Sequence, residues 1–160
     1  MTTLAVTGHM DLSDPTVPLV RAAQDELLQR YEGDLVGVSC IAKGADSVFA
    51  EAVLDAGGKL IVVIPSEDYR ARKVKPDHAA DFDRLADAAA EALVMPHETA
   101  NRAAYEAANR VLLERADRLV AVWDGRPPSG KGGGTADTVV QARAAGVPVD
   151  VVWPQGASRG

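Results

Sequence analysis

The sequence predicts an α/β fold of three layers, with helices on both faces of a mainly parallel sheet. Three observations predict it. Short apolar runs alternate with helix-periodic segments along the whole chain. One of those runs, Lys59–Ile64 (KLIVVI), has no polar face, as expected of a strand covered on both sides. Polar or glycine-bearing turns follow three of the strands: Thr7-Gly8-His9, Lys43-Gly44-Ala45-Asp46, and Asp124-Gly125 with Gly132-Gly133-Gly134. In open parallel sheets ligands bind at the carboxyl ends of strands, where strand order reverses.

Taken in order, Leu4–Thr7 reads as a short buried strand that Gly8-His9 ends. After the polar turn Asp11–Asp14, Pro15 and Pro18 are tolerable only near a helix start, which makes Thr16 the expected cap. The helix then runs to about Tyr31 with Leu19, Val20, Ala23, Leu27 and Leu28 on one face. Leu35–Cys40 is a second strand, and about Ala45–Ala56 a second helix that Gly57-Gly58 stops.

Lys59–Ile64 is the third strand, followed by an irregular region with a basic cluster, Arg70, Arg72, Lys73 and Lys75. That cluster is either a solvated loop or a reach toward phosphate. Asp77–Glu91 is the next helix, Leu93–Met95 a short strand, and Glu98–Arg115 a long amphipathic helix. Leu119–Trp123 is the pivotal strand, and a further helix carries Val139, Val140, Ala142 and Ala144. Val149–Trp153 closes the sheet. A single domain is expected over 1–154, with 155–160 a polar tail that frays.

Composition narrows the function. Aromatics are 4% of the chain, so Val, Leu, Ile and Ala must build the core. The net charge of −6 argues against nucleic acid as a partner, since phosphate contacts supply most of that affinity. It leaves room for one phosphorylated small molecule. The single cysteine, Cys40, excludes an internal disulfide and reads as a small core residue. His78 and His97 lack ligand spacing, and no metal is expected. No leader follows Met1 and no run approaches the ~20 apolar residues of a membrane span, so a cytoplasmic protein is expected.

Leu119–Ala145 combines a strand, a glycine turn and a helix start, the parts of an anion cradle. Gly132, Gly133 and Gly134 would let backbone N–H groups approach a phosphate, and Thr135 would cap the helix. Gly133 or Gly134 should then need a positive φ or lack room for a Cβ. His9 is either a ribose or base contact or a surface turn residue. Lys43, beside Gly44, either neutralises a phosphate or is solvated. Asp46 either caps its helix or meets ligand, and Asp124 is placed to accept ribose hydroxyls. Trp123 and Trp153 read as packing residues.

Ser39-Cys40-Ile41-Ala42-Lys43-Gly44-Ala45-Asp46 resembles the S-G-[GL]-A-x-G-[AI]-D turn of DprA-like Rossmann proteins. Asn109-Arg110, followed by Ala116-Asp117 and Leu119–Trp123, resembles their N-R, S-D and strand. Gly132–Thr135 resembles the G-G-x-G-T loop of the lonely-guy proteins, often labelled lysine decarboxylases. The resemblance implies a Rossmann-like three-layer αβα sandwich that binds a nucleoside monophosphate, ADP-ribose or NAD-like ligand, with no other cofactor required. It also implies a second reading, hydrolysis of a nucleotide N-glycosidic bond, with Arg110 holding phosphate or ribose and Asp137 or Asp124 stabilising an oxocarbenium ion. The chain departs from the lonely-guy pattern at Thr138, where a glutamate is usual. A third reading is a partner-binding domain, a homo-oligomer paired through the Ala-rich helix around Ala86–Ala92.

Overall fold

The computed structural model describes residues 1–128 and 134–160. Six strands form one sheet in the order β4-β3-β2-β1-β5-β6, every neighbouring pair parallel. The strands are β1 (Thr2–Gly8), β2 (Leu35–Ser39), β3 (Lys59–Ile64), β4 (Glu91–Val94), β5 (Arg118–Val122) and β6 (Val149–Val152). The helices are α1 (Thr16–Leu28), α2 (Ala45–Asp55), α3 (Tyr69–Lys73), α4 (Pro76–Ala88), α5 (Arg102–Arg115) and α6 (Thr135–Ala144). The chain order reverses beside β1, whose neighbours are β2 and β5.

Alternation within β1 sets the three layers. Leu4 and Val6 pack with Val20 and Leu28 of α1 and Phe49 and Val53 of α2. Ala5, between them, packs on the other face with Ala108 and Leu112 of α5 and Ala142 of α6. Tyr69, Phe82 and Leu85 of α3 and α4 cover Ile41, Leu60 and Val62 in a third cluster. Aliphatic residues carry most of this core, as the low aromatic content requires.

Several boundaries differ from expectation. Thr16 does not cap α1: Pro15 holds that position, and the Thr16 Oγ1 is engaged by Ser13 Oγ at 2.6 Å and Ser158 N–H at 2.8 Å. A 3-10 turn, Gln29–Tyr31, extends α1 to the expected end. The long helix starts at Arg102 rather than Glu98, because the Asn101 side chain accepts from Ala104 N–H at 3.0 Å and caps it there. α4 ends at Ala88, since the backbone from Ala90 onward joins β3 as the edge strand β4.

The C-terminal residues do not fray. Ser158 bonds Ser13 and Thr16, and Leu12 bridges Arg159 in antiparallel fashion. The Arg159 Nε donates to Asp11 Oδ1 at 2.8 Å. Polar composition alone suggested a free tail, whereas backbone pairing and hydroxyl bonds hold this one onto the β1–α1 loop. Among the described residues, no helix is long and apolar enough to cross a membrane.

Candidate functional site

A cavity of about 550 Å³ opens at the carboxyl ends of β1 and β2, beside the reversal of strand order. The β1–α1 turn contributes Gly8, His9, Met10 and Asp11 to its wall, and the β2–α2 turn contributes Cys40, Ala42 and Asp46. Asn109 and Tyr105 of α5, Tyr69 and Lys73 of α3, Gly134 and Thr135 at the start of α6, and Arg159 complete it. Two of the three turns singled out in the sequence therefore meet there, together with the end of the third.

Close packing explains two of the glycines. A Cβ on Gly8 would collide with Ala45 Cβ and lie 2.9 Å from Val122 Cβ, so only glycine lets the start of α2 rest on the end of β1. Gly44 has φ +89°, and a Cβ there would stand 2.7 Å from the His9 carbonyl oxygen. The same approach lets Ala45 N–H donate to His9 O at 3.2 Å. Three residues earlier, Ile41 has φ +47° although it is β-branched. That strain is held by Ile41 N–H on Ser39 Oγ and by Ser47 Oγ and His78 Nε2 on the Ile41 carbonyl.

His9 is buried rather than a surface turn residue. Its Nε2 accepts from Asp124 N–H at 3.1 Å, and its ring meets Trp153 edge-on at 5.6 Å. Burial, then the Arg159 charge, lower its pKa against the opposing pull of Asp124. A neutral ring accepting at Nε2 fits that direction. Asp124 does not line the cavity. Its carboxylate stands 3.3 Å from His9 Nε2, accepts from Arg126 N–H at 3.0 Å and lies 3.6 Å from Arg159. Burial pushes the Asp124 carboxyl up, but the Arg126 amide, then the neighbouring His9 ring and the Arg159 charge, outweigh it and hold the pKa low. The group expected to take ribose hydroxyls instead ties β1, β5 and the C-terminal residues together.

Lys43 points away from the cavity, its ammonium 2.6 Å from Asp77 at the start of α4. Arg110 is exposed and outside the cavity wall, which takes its neighbour Asn109 instead. Asp137 serves its own helix, its Oδ2 accepting from Gly134 N–H at 3.3 Å. Gly134 is the N-cap of α6 and Thr135 its first residue, so the hydroxyl expected at the cap is one place further on. Gly134 has φ −82°, and a Cβ on it would meet nothing nearer than Asp137 Oδ2 at 3.8 Å. The expectation of a steric need for glycine does not hold at Gly134. Gly132 and Gly133, the rest of that loop, lie outside the described residues.

Asp46 makes no capping bond. The residue keeps part of its surface in the cavity, yet its Oδ1 is buried with no hydrogen-bond partner among the described residues. Loss of water raises the carboxyl pKa to about 7, against a weaker opposing bond from the Ala42 backbone. Burial also raises the Cys40 thiol and the Tyr69 and Tyr105 hydroxyls nearby. This acidic, poorly hydrated wall lies in the same cavity as the start of α6, Lys73 and Arg159, which favour anions. Sequence reading treated Cys40, Tyr69 and Tyr105 as core or left them unremarked, and Arg159 carried no signal at all. Asn109 was visible only as part of the N-R pair. Among the described residues no group of three His, Cys, Asp or Glu could hold a metal ion.

No protein-family model and no curated protein matches the sequence. Solved structures do match its fold. The DNA processing protein A (DprA) of Streptococcus pneumoniae aligns at TM-score 0.69 and 22% identity, over 98% of this chain and 52% of that one. The DprA of Helicobacter pylori, described for its single-stranded DNA binding mode, aligns at TM-score 0.69 and 17% identity over 99% and 68%. The molybdenum cofactor carrier protein of Chlamydomonas reinhardtii aligns at TM-score 0.59 and 19% identity over 94% and 75%. The chain thus spans about half the length of the first of these. It has the Rossmann-like αβα fold of DprA and the cofactor carrier, as the sequence motifs implied.

Proposed function

We propose that the chain binds a nucleotide or nucleotide-derived small molecule in the cavity at the carboxyl edge of β1 and β2. The observation that carries this reading is the cavity itself. At about 550 Å³ it is of small-ligand size, stands beside the reversal of strand order and takes in the N-terminus of α6. Backbone N–H groups at that helix start favour a phosphate, with Lys73 and Arg159 in the same wall. Likeness to a carrier of the molybdenum cofactor supports a small-molecule ligand at the level of fold.

The hydrolase reading loses support from the positions of its candidates. Arg110 is outside the cavity, Asp137 caps α6 and Asp124 is bound to His9. Single-stranded DNA is the second reading, favoured by the two DprA alignments and opposed by the net charge of −6. Thermal unfolding in the presence of nucleoside monophosphates, ADP-ribose, NAD and a short oligodeoxynucleotide separates the readings. A nucleotide at ~100 times its Kd adds about 2.7 kcal/mol of stability. Stabilisation by the oligonucleotide alone, steeply weakened by salt, would replace the first reading with the second.

A further inference from the structure

The cavity wall mixes cationic and acceptor groups: Lys73, Arg159 and the start of α6 line it together with Asp46, Cys40, Tyr69, Tyr105 and Asn109. Tyr69 and Tyr105 meet edge to face at 6.4 Å, giving that wall an apolar aromatic side. Asp46 brings an acceptor oxygen, Oδ1, that no described donor reaches. A buried acceptor without a donor is destabilising, and native folds seldom keep one without a use. Asp46 itself lines the cavity, and the broad χ2 torsion of aspartate lets its carboxyl turn toward a donor there. A phosphate is disfavoured beside a carboxylate, whereas an N–H donor on a flat ring suits the Asp46 acceptor and the aromatic faces of the two tyrosines.

We propose that Asp46 reads the base of the ligand: its carboxyl accepts an N–H from an amino-bearing purine seated against Tyr69 and Tyr105. This rests on the nucleotide reading above and adds to it the base class and the residue that selects it. Asp46 acts by hydrogen bonding alone, and no covalent step is involved. A purine with neither an exocyclic amine nor a ring N1–H leaves Oδ1 unpaired and binds less well, because an unmet buried acceptor is costly in the complex also.

The test is calorimetric titration of the parent, Asp46→Asn and Asp46→Ala with AMP, GMP and purine riboside 5′-monophosphate, which lacks the amine. The parent should bind AMP or GMP about tenfold more tightly than the amine-free nucleotide. Asp46→Ala should abolish the difference in affinity between the amino nucleotides and the amine-free one. Asp46→Asn, which keeps an acceptor oxygen of the same shape, should retain part of the preference. Circular dichroism of each variant confirms that it is folded. A folded Asp46→Ala that keeps the full preference, or a parent that binds all three nucleotides equally, overturns the assignment of Asp46 and leaves the nucleotide site standing. Equal losses for all three nucleotides in Asp46→Asn show a residue that shapes the cavity, and also overturn it. Failure of the parent to bind any nucleotide overturns both readings.

Discussion

Two helix starts in this molecule share a sequence pattern and differ in chemistry. α2 begins Gly44-Ala45-Asp46 and α6 begins Gly134-Thr135-Ala136-Asp137, each a glycine cap with an aspartate in the first turn. At α6 the aspartate is third in the helix and reaches back to Gly134 N–H, and the glycine has room for a side chain. At α2 it is second, makes no cap bond and is sunk beside Cys40, while Gly44 is pressed against the β1–α1 loop. A shift of one residue in the first turn separates an aspartate that stabilises its helix from one that burdens it. The glycine likewise changes from replaceable to required.

The pH dependence of Asp46 tests this contrast most strongly. Its carboxyl binds a proton more tightly folded than unfolded, because its pKa rises from 3.8 to about 7. The stabilisation linked to that proton is full below the unfolded value and is lost as pH rises through the folded one. At ~1.4 kcal/mol per unit, the difference in unfolding free energy between Asp46→Asn and the parent should swing by about 4 kcal/mol from pH 4 to pH 8, in favour of the variant at high pH. Denaturant unfolding at both pH values measures it, and a constant difference would show that the carboxyl is not desolvated.

Gly44→Ala comes next, with an expected loss of about 1–3 kcal/mol from the left-handed φ and the clash with the His9 carbonyl. Asp137→Ala should cost about 1 kcal/mol by removing the acceptor for Gly134 N–H. Gly134→Ser should be the mildest change, a gain of a few tenths of a kcal/mol from an added cap hydroxyl. Chemical denaturation ranks the three, and a Gly134→Ser loss comparable to that of Gly44→Ala would erase the distinction between the two starts.

The sheet was legible because buried parallel strands leave unbroken apolar runs, as in Lys59–Ile64, and helices keep their own period. Helix ends were less so. The competition between Glu98 and Asn101 as a start is decided by one side-chain bond to Ala104, which periodicity does not register. The site was partly legible: turn residues at strand ends converge as topology requires, which placed Gly8, His9, Asp46, Gly134 and Thr135 along one cavity. Side-chain direction was not legible. Lys43 and Asp46 are three residues apart, yet one pairs with Asp77 and the other lines the cavity. Arg159 was invisible because a polar segment has no periodicity, and its partners Asp11 and Asp124 lie far away in sequence.

The central position of β1 bears on how the chain is made. Its residue Leu4 pairs with Gly37 on one side and with Arg118 on the other. On a ribosome adding ~5–20 residues per second, the first strand waits on the order of 5–20 s for its second neighbour. During that interval the edge of Leu4–Gly8 that will face β5, the stretch that leads into the cavity, has no partner strand. Arg159 arrives later still, so this part of the cavity wall forms only after β5, α6 and β6 have been made. Premature termination after β5 would yield a chain with most of its sheet and no finished cavity.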